Sequence, residues 1–134
     1  MSDMKRTIIN PWTWQEPLGF VHGNKVSNPR EIFYLAGQTA SDANGHCLYP
    51  GDMAAQIDKT LENIAAILAQ GGMDFSNVVR LNIYTVDMDG ILAAHDHMVA
   101  NLQGRGCRHT GCLLGVNALA SPGALVEIEV TAVA

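Results

Sequence analysis

Two carboxylates, Glu127 and Glu129, stand two residues apart in the run Leu125-Val-Glu-Ile-Glu-Val-Thr-Ala132. An extended chain alternates its side chains, so both acids share one face and Val126, Ile128 and Val130 share the other. A carboxylate on such a face can orient a water molecule and take its proton. An antiparallel strand with one solvated face carries the same acids with no chemistry at all, and Glu129 is read in that way. Arg108, in Gly106-Cys-Arg-His-Thr110, is a loop arginine whose planar fork can hold a substrate carboxylate. His95 and His97 flank Asp96, and an imidazole beside a cleft can act as a base near neutral pH. Positions two apart do not share a helical face, however, and neither the histidines nor the cysteines have metal-ligand spacing. No metal and no cofactor are expected. Gly37, in Leu35-Ala-Gly-Gln38, reads as part of a backbone-lined cleft wall where a ligand could come close, or simply as a strand end.

The elements that must position these residues follow from periodicity. Gly19-Phe-Val-His-Gly23 reads as a strand running to a turn at Ser27-Asn-Pro-Arg30, and Ile32-Phe-Tyr-Leu-Ala-Gly37 as a buried strand pairing with it in a hairpin. Asn10-Pro-Trp-Thr-Trp14 is an aromatic anchor for the N-terminus, and residues 41–51 form a loop. Met53, Ile57, Leu61, Ile64, Ala65 and Leu68 give one apolar helical stripe over 52–70, with Asp52 as N-cap and Gly71 as left-handed C-cap. A strand over 78–86, a second helix over 89–103, a short strand over 113–116 and the terminal strand complete a β-β-α-β-α-β-β order. The class is α+β, a mixed sheet with two helices packed on one face, in a single domain over 1–134.

The bulk composition narrows the function. At 134 residues, with 48% hydrophobic residues, the chain can bury a core of its own. A formal charge of −5, with no basic run, speaks against a nucleic-acid partner, since phosphate binding needs clustered Lys and Arg. No apolar stretch is long enough to span a bilayer and no signal-peptide core is present, so no membrane partner is expected. Cys47, Cys107 and Cys112 are an odd number and read as reduced thiols, which implies a cytoplasmic setting. Cys107 and Cys112 can also be read as nucleophiles, though a free thiol is by default a small hydrophobe. Strands between 78 and 130 carry apolar side chains on both faces in places, which implies a homo-oligomer covering the face the helices leave open.

Gly19-Phe-Val-His-Gly23, Leu35-Ala-Gly-Gln38, Gln56 with Leu61-Glu-Asn-Ile64, Val78-Val-Arg80 with Tyr84, Asp87-Met88, and Val126-Glu-Ile-Glu129, in that order and spacing, resemble the Rid family (also called YjgF or reactive-intermediate deaminase) over nearly the whole chain. The resemblance implies a chorismate-mutase-like fold and a homotrimer with clefts between subunits. It implies hydrolysis of enamine or imine intermediates to a keto acid and ammonia, without metal or cofactor. Carried over by position, Glu127 becomes the catalytic carboxylate, and Phe20, Gly37 and His95 line the cleft. Phe20 stands where the family often has Tyr, and His95 where it often has Asn. The carboxylate-binding arginine is the point of departure. A gapless alignment through Gly115, Val116 and Leu119 puts Gly111 in its place, whereas an insertion would bring Arg108 there. The chain therefore looks like a divergent subgroup. Three functions are open: a hydrolase of an imine or enamine, a protein that binds a small carboxylate-bearing molecule without turnover, or the endoribonuclease of the family's older label, which the acidic charge disfavours.

Overall fold

The computed structural model describes residues 3–134. Among them the elements run β1 (Lys5–Ile9), β2 (Gly23–Ser27), β3 (Ile32–Tyr34), α1 (Met53–Gln70), β4 (Val78–Thr85), α2 (Met88–Ala93), α3 (His95–Gly104), β5 (Leu113–Gly115) and β6 (Val126–Val133), with short 3-10 turns at Glu16–Leu18 and Phe75–Asn77. A four-stranded mixed sheet has the order β3-β6-β4-β5, with β4 and β5 parallel and the other pairs antiparallel. β1 and β2 form a separate antiparallel pair.

α1 forms where the apolar stripe predicts it. Ile57, Leu61, Ile64 and Leu68 are fully buried against Leu81, Ile83, Val126, Ile128 and Val130, which form one face of the sheet. Met98 and Leu102 of α3 and Ile91 of α2 join the same core, so all three helices lie on that face. This is the α+β, chorismate-mutase-like arrangement expected. The Asp52 side chain accepts a hydrogen bond from the Ala55 N–H, as an N-cap should.

Several local expectations are corrected. The hairpin of 19–23 with 32–37 does not form: β2 starts at Gly23 and pairs with β1, while β3 pairs with β6. β1 escaped notice because Lys5-Arg-Thr-Ile-Ile9 alternates only weakly in sequence. β3 is not buried: Ile32 is 52% and Tyr34 74% exposed. Gly71 closes α1 with an ordinary right-handed backbone, and the left-handed residue is Gly72, at φ +75°. The helix expected over 89–103 is two helices, broken at Ala94, whose backbone (φ −96°, ψ 7°) ends α2 and begins α3. The open sheet face is also more polar than expected, carrying Arg80, Asn82, Tyr84, Glu127, Glu129 and Thr131 beside Tyr34 and Leu114.

Candidate functional site

β6 is a central strand, and its alternation holds: Val126, Ile128 and Val130 are buried, while Glu127 and Glu129 are half-buried on the open face. Register sets Glu127 opposite Tyr84 and Glu129 opposite Asn82. The two acids differ in their bonding. Tyr84 donates its hydroxyl to Glu129 Oε1 at 2.5 Å, and Asn82 donates its amide to the same oxygen at 3.3 Å. The hydrogen bond to Glu129, then partial desolvation and the nearby negative charge, hold the Tyr84 phenol above its ordinary pKa. Glu127 makes no side-chain hydrogen bond among the described residues. Its carboxylate lies against the backbone of Gly37, where a Cβ would stand 2.9 Å from Glu127 Cδ. That approach exists because the chain leaving β3 continues along β6: Leu35 N–H donates to Val130 O, and Gln38 and Ile128 exchange backbone bonds at 2.8 and 2.9 Å. Gly37 is thus required for close approach, but to the protein's own carboxylate.

Phe20, His95 and Gly111 meet elsewhere, in a cavity of about 460 Å³ between α2 and α3, the β4–β5 edge and the Glu16–Leu18 turn. His95 enters it from the start of α3, its side chain 20% exposed with Nδ1 3.9 Å from Asp96. His97 turns away and meets Asp58 of α1 at 2.8 Å, beside Asn101, so the two histidines serve different faces. On the cavity wall, burial lowers the His109 pKa to about 4, and 3.7 Å away burial raises the Cys107 thiol to about 12. Both are therefore neutral near pH 7.

Gly111 has no room for a side chain. The 110–112 segment is hydrogen-bonded along β4, with Leu81 N–H on Thr110 O and Ile83 N–H on Cys112 O, both at 2.8 Å. At φ +151° a Cβ on Gly111 would stand 2.7 Å from the Leu81 carbonyl carbon and closer still to its oxygen. Arginine cannot be accommodated there without moving β4 or the segment itself.

Arg108 is exposed and lines a second recess of about 330 Å³ with Asn10, Gln15 and Gln103, separated from the first by Phe20, which lines both. Its backbone is fixed even though its side chain is not. Arg6 donates to the carbonyls of Ser76, Val78 and Arg108, and Asn24 donates to those of Val79 and Arg108. Burial lowers the Arg6 pKa; the Cys107 thiolate would offset part of this, and the Arg108 charge adds to it. Sequence reasoning missed Arg6 and Asn24, because nothing in a weakly alternating strand marks an arginine as a clamp. It also passed over the role of Gln56. That fully buried side chain donates to Tyr49 O and Gly123 O at 3.2 and 3.0 Å and accepts from Leu125 N–H at 2.8 Å, fixing the entry to β6. A polar residue inside an apolar helical stripe was the available signal. Among the described residues, no three His, Cys, Asp or Glu side chains gather as metal ligands, and no helix is long and apolar enough to cross a membrane.

The endoribonuclease L-PSP family model matches residues 17–134. In a crystal structure, protein YyfB of the conserved Rid protein family from Yersinia pestis, described as of unknown function, superposes with a TM-score of 0.86 at 33% identity, over 96% of this chain and 98% of that one. Rv2704 from Mycobacterium tuberculosis, a member of the YjgF/YER057c/UK114 family, gives 0.62 at 28% identity, over 97% of this chain and 100% of that one. The 2-iminobutanoate/2-iminopropanoate deaminase of Rattus norvegicus is 28% identical over 99% of this chain and 93% of its own length. Other curated matches are partial, spanning 44% of protein DfrA from Myxococcus xanthus and 64% of the Mus musculus deaminase.

Proposed function

Since this chain belongs to the endoribonuclease L-PSP family, which includes the Rid proteins, we propose that it hydrolyses the imine or enamine of a 2-amino acid to the keto acid and ammonia. The observation that carries this reading is the contrast between the two acids of β6. Glu129 is committed to Tyr84 and Asn82, whereas Glu127 presents an unbonded carboxylate beside the Gly37 backbone. In the proposed reaction Glu127 takes a proton from water as its oxygen bonds to the imine carbon, and the C=N π electrons move to nitrogen. The proton then passes to that nitrogen, and as the C–N bond breaks the hydroxyl proton follows by way of Glu127, so that ammonia departs and the C=O bond forms. No redox partner or metal is needed for the balance.

The proposal includes assembly. Glu127 and Gly37 occupy the open face of the sheet, while Phe20, His95 and Gly111 line a cavity on its helical side. Such a division suits a homotrimer in which each cleft combines the open-face half of one copy with the cavity half of the next. Exposed Ile32, Tyr34 and Leu114 on or beside the open face support burial against another copy. Of the two candidates for the carboxylate-binding position, Arg108 remains; Gly111 contributes only backbone.

Imino acids made in situ by an amino-acid oxidase are intercepted by semicarbazide, so an imine hydrolase lowers semicarbazone yield. The wild type should do so. Glu127→Gln should cost about 10²-fold or more in rate, and Arg108→Ala should act chiefly by raising KM. Unchanged semicarbazone yield with the wild type at all concentrations would remove the hydrolase reading.

A further inference from the structure

The cavity beside His95 is larger and more apolar than a small imino acid requires. Leu18 and Phe20 wall it from the turn before β2, Leu81 and Ile83 from β4, and Leu92 and Met98 from the two helices. Its volume, about 460 Å³, falls within the roughly 300–1,000 Å³ of pockets that enclose whole drug-sized ligands. No lysine or arginine lines it, and its one carboxylate, Asp96, is exposed. His109, which also lines it, is held neutral by burial. A substrate carboxylate finds no lysine or arginine inside, whereas a methyl group would leave most of the apolar wall against water. We infer that this cavity receives the side chain of a large apolar 2-imino acid, branched or aromatic, and sets the protein's preference for such substrates over 2-iminopropanoate. The inference rests on the hydrolase reading for its substrate and on the cavity alone for its specificity. Phe20 offers an aromatic edge to the guest, and Arg108 lines the neighbouring recess that Phe20 also borders.

The expected size of the preference follows from burial. Each methylene buried from water favours binding by about fourfold, so the three extra carbons of an isobutyl over a methyl group allow about 50-fold when fully enclosed. A cavity open at one end should realise at least about tenfold of this. Ala93, exposed at the end of α2, lines the cavity, and Ala93→Trp would fill it from a surface helix without disturbing the core.

Calorimetric titration of the full-length protein with the product keto acids pyruvate, 4-methyl-2-oxopentanoate and phenylpyruvate reads the cavity directly. The imines of alanine, leucine and phenylalanine, in the semicarbazide assay, read catalysis. The two larger keto acids should bind at least about tenfold tighter than pyruvate, and Ala93→Trp should collapse that ratio. The imine series should rank in the same order. Graded binding without hydrolysis of any imine would retain the cavity assignment and sink the hydrolase reading. Hydrolysis of the alanine imine at least as fast as the others would do the reverse. A ratio untouched by Ala93→Trp, or no binding of any of the three, overturns the assignment.

Discussion

Gly37→Ala separates chemistry from folding at one position. Gly37 lies outside the left-handed region, so alanine is compatible with its backbone, and the change should alter stability by less than about 1 kcal/mol. The added methyl, however, would stand 2.9 Å from Glu127 Cδ and 3.1 Å from Cγ. Carbon atoms at rest sit about 3.5–4.0 Å apart, so the carboxyl group must retreat by about 1 Å or rotate away. A displacement of about 1 Å in a group that aims water can cost about 10²-fold in rate. The measurement is kcat/KM for imine hydrolysis in the semicarbazide assay, with a urea melt on the same preparation. We expect a loss of about 10²-fold with an unchanged melt. Wild-type kcat/KM in a folded Gly37→Ala protein would refute the assignment of Glu127 as the water-orienting base. A large loss of stability would refute the account of the Gly37 contact.

Gln56→Glu replaces the donor to Tyr49 O and Gly123 O with a buried carboxylate and should cost about 3 kcal/mol or more at pH 7. Its folded pKa must rise above the ordinary value near 4.3. The folded state then binds more protons than the unfolded state between the two pKa values, so stability falls as pH rises through that window and recovers on acidification. Urea melts at pH 5 and 7, at one protein concentration, test this, and a pH-independent loss would contradict it. Gly111→Ala should destabilise by about 3 kcal/mol or more, from the clash with Leu81 and the φ of +151°; a melt matching wild type would show that β4 yields. The Tyr84 phenol is held above its ordinary pKa by Glu129, so Glu129→Gln should shift its part of the ultraviolet titration downward; an unchanged curve would disprove the coupling.

The legible parts of the fold were those with a strong local period. The α1 stripe and the β4 and β6 alternations depend on residues within one element, so 52–70, 78–86 and 125–132 came through within a residue or so. Pairing did not. Nothing local in Gly19-Phe-Val-His-Gly23 tells that the strand begins at its last residue, or that its partner is β1 rather than β3. The break at Ala94 likewise has no glycine or proline to announce it; α2 and α3 diverge to place Ile91 and Met98 in the same core. At the site, Glu127 beside Gly37 was readable as an acid and a glycine, but their contact depends on β3 continuing along β6. Gly111 was readable as a missing charge, yet its reason is the Leu81 carbonyl, contributed from thirty residues away.

Subunit complementation tests the proposed two-copy site most directly. Glu127→Gln damages the open-face half and Ala93→Trp the cavity half, so on the leucine imine the first alone should be nearly inactive and the second should lose about tenfold or more. Co-expressed with different affinity tags and purified through both, mixed oligomers should recover activity. With random assembly about a quarter of clefts combine two intact halves, so about a quarter of wild-type activity is the expected scale before purification enriches mixed species. Mixed oligomers as inactive as their parents, from variants whose homo-oligomers are folded, would contradict the account.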